Sequence, residues 1–312
     1  MISRPQLLFV GLLILTLIFI RSQSAGELGK SWNSQAKFGI SDTRKSTFAK
    51  WFPSVHERES VFCVVAVTSP AHLPQRRHWQ RAQWSKNIAL LHAQHPHLPP
   101  KFVFKFCLGN QNRSLEQRLD LQEEHKLHDD LVLLNSPDFD NDFWGDITVH
   151  GHSATTLKVL AAIQHALQMY EFQYIVRLGD DSYFRPENFF ARVQQGLLPA
   201  WSACIGFSAP APLRYKTSAG EVTAPYPSGM GFILTYDVAA WLIQARDKLL
   251  LGGPEDGVVG SWFVGTQIQI YHVPNGFRDL DWSCQSGEDI LVHCLREQAH
   301  WNMIGPDGNL PC

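Results

Sequence analysis

The feature that most constrains this chain is an alternation of short, β-branched apolar runs with longer amphipathic stretches between positions 60 and 184. Residues 61–69 (VFCVVAVTS) are apolar almost throughout and end in a turn signal, the pattern of a strand buried on both faces. Residues 73–94 (LPQRRHWQRAQWSKNIALLHAQ) follow, with helical character from Trp79, Ile88, Leu90 and Leu91. Then come a strand pattern at 101–110 (KFVFKFCLGN), a polar amphipathic helix at 113–130, a short strand at 131–134 (LVLL), an Ala- and Leu-rich helix at 153–170, and a fourth strand at 174–178 (YIVRL). Strand and helix repeated in this way predict an α/β domain with a mostly parallel central sheet flanked by helices. Ligands of such sheets bind beyond the carboxyl ends of the strands.

The fourth strand runs directly into Gly179, Asp180, Asp181 and Ser182. As a turn this is ordinary, because Gly, Asp and Ser tolerate turn geometry and bond their own backbone. Alternatively the strand delivers two carboxylates to a crevice, where they hold a divalent metal and a phosphate-bearing substrate. The place at a strand's carboxyl end puts the second reading level with the first. Past Phe184 the pattern loosens. Residues 185–198 predict a short helix from near Pro186, 201–208 (WSACIGFS) a strand, and 226–249 a glycine-rich turn, a strand and a helix. Glu255 and Asp256 fall in a glycine-bounded loop at 252–265.

Residues 6–20 (QLLFVGLLILTLIFI) form an uninterrupted apolar run between Arg4 and Arg21. A membrane span needs about 20 residues, and counting from Met1, with Arg4 snorkelling, the run approaches that length. We read 1–21 as a cytosolic tail and uncleaved signal-anchor; a signal peptide cleaved near RSQSAG is the rival. Either sends the remaining chain into the secretory lumen. Residues 22–58, rich in Ser, Lys, Gly, Asn and Gln, read as a stem, and 59–312 as one lumenal domain. Asn112-Arg113-Ser114 is a glycosylation sequon. Six cysteines, Cys63, Cys107, Cys204, Cys284, Cys294 and Cys312, allow up to three disulfides, with Cys63 and Cys107 alternatively buried free thiols. A net charge of −2 gives no basic field for nucleic acid. Ten tryptophans suit either a core or a sugar-binding surface.

Several motifs now fall in one order. They are RRHWQRAQW with Arg76, Arg77, Arg81 and Trp84; FCLG after the second strand; Glu124, Asp130 and TTLK with Lys158; Arg177-x-Gly179-Asp180-Asp181; YPSGMGFILT; PEDGVVG; and ILVHCLREQAHW with His293 and Trp301. Together they resemble the beta-1,3-glycosyltransferases of family 31, the galactosyl- and N-acetylglucosaminyltransferases related to the Fringe enzymes. Gly179 stands where that family has the first of three aspartates.

The resemblance implies a GT-A type lumenal domain on a single-pass type II Golgi membrane protein. It implies an inverting transfer of galactose or N-acetylglucosamine from a UDP-sugar to a hydroxyl of a glycan acceptor, on a glycoprotein or glycolipid, forming a beta-1,3 linkage. Manganese would neutralise the leaving diphosphate, held by Asp181 and His293. Asp256 would be the general base, with Glu255 beside it. Asp180, Arg77, Arg81, Ser228 and Gly229 would serve the donor side, the Ser228–Gly231 turn letting backbone approach the sugar. Two other classes compete. One is a catalytically silent relative acting as a lumenal chaperone or glycan-binding protein, favoured by Gly179. The other is a secreted sugar-binding module, which gives no reason for a base beside a metal set.

Overall fold

A computed structural model describes residues 58–97, 100–111, 113–138, 148–149, 152–208, 212–217, 220–273, 275–279 and 288–304. The signal-anchor, the stem except Arg58, the sequon's Asn112, and Cys284 and Cys312 lie outside the described residues. Among those described, no helix is long and apolar enough to cross a membrane.

The chain alternates as its pattern predicts. Strand β1 (Glu59–Thr68) leads to helix α1 (Pro74–Gln94), β2 (Phe102–Gly109), α2 (Leu115–His128) and β3 (Leu131–Leu134). A two-residue pair, β4 (Thr148–Val149) and β5 (His152–Ser153), precedes α3 (Ala154–Met169) and the ten-residue β6 (Tyr170–Gly179). Local chemistry sets the helix starts. Pro74 opens α1, where its missing N–H goes unneeded. Ser114 and Gln117 form a reciprocal capping box on α2. The Ser153 hydroxyl accepts the Thr156 N–H at 3.1 Å to start α3.

The second half follows as β7 (Tyr183–Phe184), α4 (Pro186–Gln194), β8 (Ala203–Ser208), the hairpin β9 (Leu213–Thr217) and β10 (Gly220–Ala224), β11 (Pro227–Thr235) and α5 (Tyr236–Ala245). It ends with α6 (Glu255–Trp262), β12 (Gln269–His272), β13 (Phe277–Asp279), β14 (Leu291–His293) and α7 (Gln298–Asn302).

Seven strands form the main sheet in the order β12-β8-β11-β6-β1-β2-β3. The β3, β2, β1 and β6 neighbours pair in parallel, and β11 runs antiparallel between β6 and β8. A smaller sheet joins β13, β14 and β7. The mixed α/β expectation with a mostly parallel sheet therefore holds. From β1 the chain winds outward to β2 and β3, then returns to place β6 on β1's other side. The β1/β6 junction is thus a topological switch point, where the carboxyl ends of neighbouring strands splay and a crevice forms.

The core is aromatic and β-branched. Val61 to Val67 are at most 4% exposed, as a strand covered on both faces requires. Phe62 packs edge-on to Tyr174 and Phe190, and Trp84 stacks on Phe104 and Phe106. Trp84, Trp262 and Trp301 are all buried, so these three go to the core rather than to a sugar surface. The four described cysteines, Cys63, Cys107, Cys204 and Cys294, are buried and free. Of the two readings, buried free thiols hold for Cys63 and Cys107, and Cys204 and Cys294 are free as well, each in or at the end of a buried strand, so the six cysteines do not make three disulfides.

One boundary also differs from the sequence reading. Glu255 and Asp256 open α6 instead of lying in a loop. Gly257 and Gly260 made a helix look costly there. Gly257 leaves room for a neighbour there: a Cβ on it would lie 2.6 Å from Leu213 Cδ1. Acidic groups in the first turn also complement the helix dipole.

Gly231 fixes the register of β11 against β6. It adopts φ +144°, and a Cβ there would lie 2.8 Å from both the Arg177 carbonyl oxygen and Leu291 Cδ1. Gly231→Ala combines backbone strain with overpacking, and a stability loss of about 2–5 kcal/mol is expected by denaturant titration.

Candidate active site

Asp180 and Asp181 leave the end of β6 at the switch point, beside Ser69 at the end of β1. Asp180 is buried, and its Oδ2 accepts the Ser69 hydroxyl at 3.0 Å while Arg76 Nη1 lies 3.3 Å from Oδ1. Burial and then the neighbouring Asp181 charge push its carboxyl up to about 6, against the pull of Arg76 and Ser69. The folded value exceeds the ordinary carboxylate range. The stability it contributes is therefore whole below the unfolded pKa and lost as pH rises through about 6.

Asp181 points the other way. Its Oδ2 lies 3.6 Å from His293 Nε2 and 3.4 Å from Arg296 Nε. The smaller sheet makes this possible, because β14 pairs with β7 immediately after the aspartates and ends on His293. The Leu295 N–H also donates to the Asp181 carbonyl at 2.8 Å, fixing the two segments together. His293 Nδ1 is 2.9 Å from Asp279 Oδ2, and β13 pairs in parallel with β14 with Asp279 opposite His293. The carboxylate beside Nδ1 fixes the ring's orientation, with Nε2 turned toward Asp181. Asp279 was missed by the sequence reading; its only cue is a position at the end of a three-residue strand.

Gly179 has a structural consequence. A Cβ built on it would lie 2.8 Å from Asp181 Oδ1, so the Asp181 carboxylate occupies the room that the family's first aspartate would need.

The glycine turn closes the opposite wall. Antiparallel pairing of β11 with β6 sets Gly231 opposite Leu178, with Ser228 and Gly229 preceding that pair in β11. The Ser182 hydroxyl donates to the Met230 carbonyl at 3.1 Å. Arg177 bridges to the helix α6: its Nη2 lies 2.7 Å from Glu255 Oε2, and its Nη1 donates to the Gly229 carbonyl at 3.3 Å. Both charges of that pair are buried, which fixes the α6 N-terminus against the turn. Asp256 is partly exposed on the same first turn, and a Cβ on Gly229 would lie 3.6 Å from its Oδ2. The exposed Gly229 backbone and the partly exposed Asp256 carboxylate thus lie against each other.

Arg77 and Arg81 stand elsewhere in the network. Arg77 is fully buried; it makes a bidentate pair with Glu124, at 2.8 and 2.7 Å, and donates to the Ser69 hydroxyl at 3.1 Å. It therefore reaches Asp180 only through Ser69. Arg81 bonds Asp130 and Glu124 and lies over the Phe106 ring, tying α1 to the turn before β3. Lys158, also fully buried, pairs with Asp138 and donates to the Ser69 carbonyl at 3.3 Å, bracing the end of β1 from below. Of the predicted residues, Asp181 and His293 meet just beyond β6 with Asp180 next in sequence, Glu255 and the Gly229 carbonyl meet on Arg177 with Asp256 against Gly229 and Ser228 next to it in β11, and the two arginines pair with Glu124. Trp301, the last motif's aromatic residue, is buried and donates from Nε1 to the Leu295 carbonyl, shaping the turn after His293.

The family model named Galactosyltransferase matches residues 75–274, and the chain belongs to that family. It is similar to "Beta-1,3-galactosyltransferase 6" of Mus musculus, with 25% identity over 227 residues covering 70% of this chain and 64% of that protein. It is also similar to "Probable beta-1,3-galactosyltransferase 12" of Arabidopsis thaliana, with 23% identity over 184 residues covering 55% and 45%. The chain thus spans less than two thirds of either relative. Among solved structures, the galactosyltransferase LgtC in complex with donor and acceptor sugar analogs aligns over 74% of this chain and 86% of that one, at 10% identity and TM-score 0.37, too loose a likeness to carry a residue across.

Proposed function

We propose that this chain is an inverting, UDP-sugar-dependent beta-1,3-glycosyltransferase of GT-A type. The names of its two relatives favour galactose over N-acetylglucosamine as the sugar moved to the hydroxyl of a glycan acceptor. We place it in the Golgi membrane, anchored through its N-terminal apolar run. One observation carries the reading. In a chain of this family, two segments far apart in sequence bring a carboxylate and an imidazole nitrogen, Asp181 and His293 Nε2, to 3.6 Å at the mouth of a switch-point crevice.

The donor set fits a manganese ion, since a hard carboxylate and a neutral imidazole suit that metal, and Asp279 on Nδ1 leaves Nε2 free to ligate. When bound by Asp181 and His293, such an ion would supply Lewis-acid neutralisation of the diphosphate leaving group. The chain's own residues do the rest. Asp180, held by Ser69 and Arg76, faces the nucleotide side. The Ser228–Gly229 backbone admits the sugar closely. Asp256, opposite Gly229, takes the proton of the acceptor hydroxyl as its oxygen bonds to the anomeric carbon and the bond to phosphate breaks. Arg177 and Glu255 act by holding Asp256 to the turn.

Asp279→Asn tests the orienting role. The amide keeps the side chain's shape and loses the charge that fixes the tautomer. Manganese affinity of the full-length chain, read by electron paramagnetic resonance of free Mn²⁺, is expected to fall about 10–100-fold. Unchanged affinity would remove Asp279 from the account. Activity itself is tested by manganese-dependent UDP release from UDP-galactose in the presence of simple acceptor glycosides.

A further inference from the structure

The His293 ring separates two donor groups, and only one belongs to the transferase reading. On its Nδ1 side lie Asp279 Oδ2 at 2.9 Å and Cys294 Sγ at 3.2 Å. The three donor atoms all lie within 4.8 Å of one another. Donors around a tetrahedral zinc ion, at about 2.0–2.1 Å for N and O and about 2.3 Å for S, stand about 3.3–3.8 Å apart, so the separations of 2.9 and 3.2 Å need to open by a few tenths of an ångström to admit the ion. Cys294 is held at φ +71°, a left-handed conformation uncommon for a side-chain-bearing residue. The chain maintains it by the Leu295 N–H bond to the Asp181 carbonyl. Arg296 Nη2 lies 3.6 Å from the sulfur, while burial and then Asp279 push the thiol up to about 12.

We propose that Asp279, His293 through Nδ1, and Cys294 form a second metal site, selective for thiophilic dications of the zinc class and distinct from the Asp181–Nε2 side. Sulfur, imidazole and one carboxylate are a zinc donor set, whereas manganese has little affinity for thiolate. On binding, the dication displaces the thiol proton to solvent and takes the Nδ1 lone pair. The ring proton then resides on Nε2, which becomes a donor to Asp181 and ceases to be a ligand. Zinc at this site therefore opposes manganese at the other. That antagonism rests on the proposed role of Asp181 and His293; zinc binding does not.

The test is cobalt(II), zinc's spectroscopic stand-in, titrated into the metal-stripped full-length chain. A thiolate-to-cobalt charge-transfer band is expected that saturates near about one equivalent and is bleached by zinc. It should vanish in both Cys294→Ser and Cys294→Ala, with near-ultraviolet circular dichroism confirming folding, and persist in Asp181→Asn. In turnover assays, Cys294→Ser should require at least about tenfold more zinc for equal inhibition of manganese-supported UDP release. No band from the folded wild type, or an equal band from either folded Cys294 variant, overturns the site. A band that behaves as expected in a chain without turnover supports the site and instead counts against the transferase reading.

Discussion

Asp181→Ala is expected to lower manganese-dependent UDP release by about 10³-fold while leaving the fold intact. The carboxylate makes two contacts through Oδ2, to His293 at 3.6 Å and Arg296 at 3.4 Å, and neither lies in the apolar core. Removing it breaks no buried network of the kind that surrounds Asp180. Its value is in the reaction, where neutralising the diphosphate contributes several kcal/mol to the transition state, and each 1.4 kcal/mol is about a factor of ten. The readout is kcat with saturating donor, beside a thermal melt. A melting temperature within a few degrees of wild type, together with collapsed turnover, is the expected pair. Retained turnover would remove Asp181 from the metal set.

Asp256→Asn is expected to lower kcat by about 10²–10⁴-fold with little change in donor affinity. Asp256 is partly exposed, lies beside Gly229, and accepts the Gly257 N–H at 2.7 Å through Oδ1, with Oδ2 turned toward Gly229. An asparagine can keep the backbone contact and cannot take a proton. UDP binding, measured by calorimetry in manganese, should therefore stay within about twofold of wild type while transfer to acceptor fails. Glu255→Gln should behave differently. Its carboxylate pairs with Arg177 in a buried setting, so its loss weakens the α6 anchor and lowers stability as well as rate. The contrast between neighbouring carboxylates separates a base from its support.

Much of this arrangement was legible in the sequence because β1 is long and apolar almost throughout and β6 ends in a mostly apolar run. Val61 to Val67 and the run ending at Leu178 leave no other way to bury two faces, and their carboxyl ends put Asp180 and Asp181 at the crevice. What escaped the sequence are contacts that depend on pairing. Asp279 reaches His293 only because two three-residue strands lie in register, and strands so short carry no periodicity to read. The burial of Arg77 was hidden for the opposite reason. Arginines four apart on a helix usually form a solvated face, and the acidic partner Glu124 lies on another helix. The glycines around Glu255 and Asp256 read as a loop because glycine has weak helix propensity, whereas the helix there buries Val258, Val259 and Trp262.

The central claim is that the end of β6 carries out metal-dependent sugar transfer, and UDP release tests it most directly. The full-length chain would be assayed with UDP-galactose and a panel of simple glycosides, in manganese and in chelator, with the product's linkage and anomer read by nuclear magnetic resonance. The account predicts release that needs manganese, an acceptor-dependent product with a β linkage to a 3-hydroxyl, and loss of both in Asp181→Ala. Full release in chelator, or a folded chain with neither turnover nor manganese-dependent UDP binding, would contradict it and leave Gly179-Asp180-Asp181 as a turn on an inherited scaffold.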